Sequence, residues 1–242
     1  DDGTRAIPTG GRTDIPQYGQ VVGNPNSPAG LEYQEILGGF NKTLGATRQS
    51  SLMDFGLSFS LGNQIVRPKV TWGYNAAVTY KNETEFYQNA EFNLYAKPIS
   101  ETETELESLE KQKGDYGVNS VLLGGMAGIA LKTNASKYKI NILHLQNGES
   151  KAGIFDFENT NLGANFEAKQ YNLEYSQRAL TSILLSGTHF FNGRDWEVSW
   201  KIAPTLSTIE DPDIRFTRFR LPTNNISTEV GLPARIWRSL QE

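Results

Sequence analysis

From Met53 to Leu61 the chain alternates strictly: Met53, Phe55, Leu57, Phe59 and Leu61 are apolar, with Asp54, Gly56, Ser58 and Ser60 between them. The pattern returns in Trp72, Tyr74, Ala76, Val78 and Tyr80, and again in Trp196, Val198, Trp200 and Ile202. Period-two alternation predicts strands with one greasy face and one wet face. Each apolar face approaches the roughly 9–11 residues that a tilted strand needs to cross a bilayer. Aromatic residues stand at several strand ends, where an interface girdle wants them. A soluble β-sandwich alternates in the same way. Alternation alone leaves both architectures open.

Taken in order, the pattern predicts about six strands of this kind: Leu52–Leu61, Val70–Lys81, Val118–Lys132, one beginning at Tyr138, Phe166–Phe191 and Trp196–Ser207. Residues 1–48 are punctuated by Gly, Pro, Asn and Thr and read as a linker, with a short helix or irregular strand within Leu31–Leu44. Residues 82–116, 147–165 and 208–242 read as long loops. The acidic centre of the first, Glu101 to Lys111, reads as a solvated helical turn, with Glu107 four residues before Lys111. Gly124, Gly125 and Gly128 fall inside a strand, where glycine marks a bend or a close backbone approach. Asn192-Gly193-Arg194-Asp195 is a hairpin signal.

The connections separate the two architectures. Tight turns alternate with long segments along the chain, as in outer-membrane barrels with short periplasmic turns and long extracellular loops. A sandwich has no reason to place every long loop at one end. The expectation is an all-β fold: part of an antiparallel, up-and-down transmembrane β-barrel. Residues 1–48 form a linker, 49–207 the strands with two long loops, and 208–242 an extracellular loop.

Composition narrows the chemistry. The 242 residues include no cysteine, which excludes a disulfide framework and a thiolate metal site. His144 and His189 are the only histidines, too few to suggest a metal centre. Mean hydropathy of −0.46 suits a soluble protein and a barrel alike, because only one strand face of a barrel meets lipid. A net charge of −4 with no basic block argues against nucleic acid as a partner. Arg215-Phe216-Thr217-Arg218-Phe219-Arg220 has a composition that stacks bases, but a loop packing its own aromatics is the simpler reading. Asp156, Glu158, Asn159 and Asn161 offer spaced oxygens without the calcium-loop pattern. No cofactor is expected. Ligand contacts are expected at the loop residues Tyr87, Phe155, Asp156, Phe157 and Trp237. Two rival functions remain: a soluble β-sandwich module binding carbohydrate or protein, and a glycoside hydrolase using a pair such as Glu158 and Glu174.

Several stretches resemble one family. Asp1-Asp2-Gly3-Thr4-Arg5-Ala6-Ile7-Pro8 is similar to the segment after the plug in TonB-dependent outer-membrane receptors of Bacteroidetes type. Gly73-Tyr74-Asn75-Ala76-Ala77-Val78-Thr79-Tyr80-Lys81-Asn82 resembles an early barrel strand of those receptors. Gln177–Leu180 with Ser186–His189 and Trp196–Trp200 resembles a later hairpin, and Asp211-Pro212-Asp213-Ile214-Arg215-Phe216 the loop after it. The resemblance implies a plugged barrel of about 22 strands that imports nutrients across the bacterial outer membrane. It implies no catalysis. The partners it implies are the lipid bilayer, the remainder of the barrel and its plug, the TonB system, and a surface lipoprotein capping the barrel. A TonB box, a plug and a closing strand ending in an aromatic are not recognisable, so the expectation is an amino-terminal barrel part completed by other residues.

Overall fold

The computed structural model describes residues 4–98, 104–159, 166–191, 195–220 and 234–241. Among the described residues two helices, α1 (Tyr18–Val21) and α2 (Pro28–Gly39), precede eight strand segments. These are β1 (Phe55–Val66), β2 (Val70–Ala96), β3 (Glu107–Thr133), β4 (Ser136–Asn159), β5 (Phe166–Phe191), β6 (Trp196–Ile202), β7 (Thr205–Arg220) and β8 (Ala234–Gln241). Residues 1–48 are thus not simply irregular. Ser27 caps α2 by accepting from the Gly30 N–H at 3.1 Å, and Pro28 supplies a first-turn residue that has no N–H to lose.

Every pairing is antiparallel and between neighbours, in the order β1-β2-β3-β4-β5-β7-β8. β6 and β7 both lie along β5, β6 against its last residues and β7 against its first. They form one strand interrupted at Ala203-Pro204, where proline has no N–H for the ladder; the Ile183 N–H still donates to the Pro204 carbonyl at 3.0 Å. The sheet is an open all-β meander of barrel type, with β1 and β8 as free edges.

The strands are longer than hydrophobic alternation predicts. β2 and β3 have 27 residues each, roughly 90 Å of strand path. Three corrections follow. Most of 82–116 is strand, with only 97–106 connecting β2 to β3, and Glu107 to Lys111 is strand rather than a helical turn. β4 continues through 147–159, and β7 and β8 occupy much of 208–242. Glu101, Asn161 and Asn192-Gly193-Arg194 lie outside the described residues.

The reason is cross-strand chemistry. The distal halves are held by partners directly opposite one another: Lys113 Nζ to Glu91 Oε1 at 2.7 Å, and Lys169 Nζ to Asp156 Oδ1 at 2.5 Å. Asn119 Nδ2 reaches Thr84 Oγ1, directly opposite, at 3.0 Å, and Asn82 Oδ1 on the diagonal at 2.9 Å. Such pairs stabilise a ladder without burying apolar surface, so they leave no period-two hydrophobic signal.

The meander has two ends. Arg67–Lys69 and Asn134–Ala135 make tight turns at one, where β5 also gives way to β6; β2 passes to β3, β4 to β5 and β7 to β8 at the other. Near the turn end one face carries Trp72, Leu131, Tyr138, Gly187 and Trp200 in register, with Tyr74, Ile129, Ile140, Leu185 and Ile202 in the next row. These side chains are largely uncovered: Ile129 is 61% exposed, Ile202 56% and Phe59 on β1 67%. Phe55–Val66, Val70–Tyr80, Tyr116–Leu131, Ile140–Gly148 and Ala179–Phe191 contain no Asp, Glu, Lys or Arg. The sheet therefore has a band without Asp, Glu, Lys or Arg on either face, apolar on one side and small or polar on the other.

Aromatic groups edge that band. Trp200 packs across Gly187, where a Cβ would stand 2.4 Å from the indole. Its Nε1 donates to His189 Nε2 at 3.0 Å, leaving His189 Nδ1 to donate to Ser136 Oγ at 3.1 Å. Tyr138 meets the His189 ring edge-on at 5.4 Å. At the other border Phe55 packs against Tyr80 at 5.6 Å. Among the described residues the buried apolar set is confined to Val21, Phe155, Phe157, Ala168 and Ile214. Apart from Val21 in α1, it lies in the distal half of the sheet.

Candidate functional site

β3 pairs with β4 without a register shift, so side-chain parity holds along the whole strand. Gln112, Tyr116, Gly124 and Lys132 share the polar face; Asp115, Leu123, Ile129 and Leu131 share the other. On the polar face, toward the loop end, the strands assemble an aromatic and amide surface. Tyr87 and Tyr116, directly opposite in register, stack at 4.7 Å. Phe92 lies 5.7 Å from both Tyr116 and Phe155, edge-on to the latter. Gly153 permits this arrangement, because a Cβ there would stand 2.3 Å from the Phe155 ring.

Beside these rings is a cleft of about 370 Å³ lined by Phe92, Gln112, Tyr116, Phe155, Asn172 and Glu174. A polar lattice adjoins it. Gln170, 3% exposed, accepts from Arg218 Nε at 2.6 Å and donates to Gln112 Oε1 at 3.2 Å and Asn172 Oδ1 at 2.9 Å. The Arg218 guanidinium covers the Phe157 ring, and burial lowers its pKa from the ordinary value. Burial is also the main cause that raises the Glu174 carboxyl, reinforced by Asp211 and opposed by Lys151 and Arg238. The Tyr87 hydroxyl is raised by donating to Glu85 Oε2 at 2.5 Å. Aromatic faces beside fixed amides can stack on and hydrogen-bond a polar ligand.

The five expected ligand residues divide. Tyr87 and Phe155 reach this surface. Phe157 is 1% exposed beneath Arg218 and supports it from below, so it is a packing residue of β4 rather than a loop contact. Asp156 points to the opposite face and pairs with Lys169. Trp237 is on β8, where its Nε1 donates to the Arg5 carbonyl at 2.9 Å and its ring meets Phe40 at 5.6 Å. The hydrolase pair is not brought together: Glu158 and Glu174 lie on opposite faces, opposite Glu167 and Lys151 respectively. Gln112, Tyr116, Gln170, Asn172 and Arg218 carry the surface without having been among the expected ligand contacts. Their trace in the sequence is two-residue spacing, as in Gln170, Asn172 and Glu174, which becomes legible only once the register is known.

The amino-terminal segment covers the other face at the same end. Arg48 pairs with Asp115, Gly45 lies against the Tyr171 ring, and the Arg5 guanidinium is 5.4 Å from the Tyr175 ring centroid. A buried charge cluster fastens it. Asp213, 1% exposed and at φ +52°, receives Arg215 Nε at 2.9 Å and Nη2 at 2.5 Å. Arg215 Nη1 then donates to the Thr43 carbonyl at 2.6 Å, and Arg235 Nη2 to the Asn41 carbonyl at 2.5 Å. The expected linker is therefore a strap at the loop end of the sheet. Its residues 46–49 and Ser51, with Phe86, Asp115 and Ile154, also enclose a seam of about 340 Å³.

Among the described residues no group of three or more His, Cys, Asp or Glu is placed to hold a metal ion, and no helix is long and apolar enough to cross a membrane. No family model matches the chain, and no curated protein or solved structure matches it.

Proposed function

We propose that this chain is part of a transmembrane β-barrel in a bacterial outer membrane, of the TonB-dependent receptor type, that binds a nutrient at its loop end and passes it inward. The observation that carries this reading is the uncovered apolar face: a band free of Asp, Glu, Lys and Arg, bordered by Trp72, Trp200 and Tyr138 on one side and Phe55 and Tyr80 on the other, with no second layer against it among the described residues. In water such a face would seek a second sheet; in a bilayer it is already solvated. The free edges of β1 and β8 call for further strands, because lipid does not tolerate an open edge. The aromatic and amide surface then lies outside the membrane, on the lumen-facing side of the long strands, where a ligand first meets the receptor. The role is binding and conduction, without chemistry on bonds.

Refolding the chain with lipids brominated along their acyl chains tests the reading. With one tryptophan retained at a time, Trp72 and Trp200 are quenched, whereas Trp237, packed against Phe40 and the Arg5 carbonyl, is not. Cooperative folding of the chain as a detergent-free monomer would overturn it.

A further inference from the structure

The cleft beside Phe92, Tyr116 and Phe155 has one carboxylate and one ammonium in its lining, Glu174 and Lys151, and they do not pair. Lys151 stands directly opposite Glu174 in the ladder, yet its Nζ turns to Glu149 Oε1 on its own strand, at 2.8 Å. Among the described residues the Glu174 side chain has neither an ion pair nor a hydrogen bond. The more distant charges that act on it are engaged with each other, Asp211 with Arg238 at 3.0 Å. Glu85 lies in the same row through Val118, accepts from the Tyr87 hydroxyl, and has no basic partner among the described residues either. Two rows nearer the loop end, Arg218 is held by Gln170 and the Phe157 ring.

A half-buried carboxylate left without a partner destabilises the fold when it ionises, and burial already raises the Glu174 carboxyl. What the fold withholds, a ligand can supply. One carboxylate among rings is a poor metal site, and no group of three metal-binding side chains is placed there among the described residues. An organic cation suits it better, because aromatic rings attract cations through their quadrupole. The same sheet shows that preference at Arg218 over Phe157. The neighbouring amides add a second requirement. Gln112 Oε1 and Asn172 Oδ1 both accept from Gln170, so the groups left for a ligand are their amide N–H donors, which have no partner among the described residues. Asn172 and Glu174 are two residues apart on one face of β5, about 7 Å.

We infer that the cleft selects ligands carrying a protonated amine. The amine sits against Glu174 with the rings of Phe92, Tyr116 and Phe155 beside it, and carbonyl or hydroxyl oxygens of the same ligand accept from Asn172 and Gln112. The inference deepens the binding role proposed above and rests on it. Amino sugars and peptide amines present this chemistry alike.

The probes are a glucosamine tetramer and tetralysine, each compared with its fully N-acetylated form by calorimetric titration of the full chain refolded in detergent, at physiological ionic strength. At least one amine form is expected to bind about tenfold or more tightly than its acetylated counterpart, and the skeleton that does so identifies the source of the amine. Glu174→Gln, which keeps the shape and removes the charge, is expected to weaken that binding about tenfold. Phe92→Leu is expected to weaken it about two- to fivefold. Glu158→Gln, on the opposite face, leaves it unchanged. The inference is overturned if neither amine form binds or if the acetylated forms bind as tightly. It is also overturned if Glu174→Gln and Glu158→Gln weaken binding equally, which would mark diffuse attraction to an acidic chain. Absence of binding with Trp72 and Trp200 still quenched by brominated lipid sinks this inference alone. Loss of quenching sinks the barrel reading.

Discussion

The Arg218 guanidinium lies 3.9 Å from the centroid of the Phe157 ring, joining two strands that are not neighbours in the sheet. β5 separates them and contributes Gln170, which accepts from the same guanidinium. This stack fixes the floor of the aromatic and amide surface. Phe157→Ala is expected to destabilise the refolded chain by about 3–5 kcal/mol, the range for a buried phenylalanine, in guanidinium chloride unfolding. Arg218→Lys keeps the charge but loses the planar contact and the bond to Gln170, with an expected cost of about 1–2 kcal/mol.

Arg215 and Asp213 make the corresponding test for the strap. Replacing Arg215 with Met leaves Asp213 buried at 1% exposure with its bidentate partner gone. A cost of about 3–5 kcal/mol is expected. The Thr43 carbonyl also loses its donor, so limited proteolysis should cleave residues 40–48 well before the sheet is digested. A protease pattern identical to that of the parent chain would show that the clamp does not hold the strap.

Glu174 predicts a pH dependence of definite sign. Its carboxyl is raised above 4.5, chiefly by burial, so across the interval between 4.5 and the raised value the folded chain binds more protons than the unfolded chain. Its contribution to stability therefore falls as pH rises through that interval. Glu174→Gln removes this loss: the variant should match the parent below pH 4 and exceed it at neutral pH. Unfolding midpoints across the pH range measure the difference.

Gly187 and Trp200 test the girdle. A Cβ at residue 187 would stand within 2.4 Å of the indole, so Gly187→Ala must displace Trp200 from its strand and from His189. The expected result is a shifted Trp200 emission in a single-tryptophan background and a stability loss of about 1–3 kcal/mol.

The turn-end halves of the strands were legible because one rule wrote them. Apolar and polar residues alternate from Phe55 to Leu61, Trp72 to Tyr80 and Trp196 to Ile202, and the structure places those segments in β1, β2 and β6. β5 occupies the predicted Phe166–Phe191. The distal halves follow another rule. Glu91 with Lys113 and Asp156 with Lys169 are strand partners whose meaning depends on a residue more than ten positions away. In one dimension they look like polar loop. The site was partly visible for the same reason: Phe155 stood out as an aromatic in a polar stretch, while Gln112, Gln170 and Arg218 acquire a role only when three strands bring them together.

The two free edges differ, with consequences for how the chain matures in a cell. β1, Phe55 to Val66, contains neither charge nor proline, the usual devices that stop an exposed strand from recruiting a stranger. β8 carries Arg235 and Arg238 along its length. On the barrel reading proposed above, β1 is the sticky side before insertion. Overproduced in the cytosol, the chain should deposit as inclusion bodies through edge-to-edge growth at β1, and a periplasmic holdase would have to shield that strand first. Lysine at Ser58 and Ser60 should keep the unassembled chain dispersed while blocking its insertion, which would identify β1 as the seam at which assembly begins or closes.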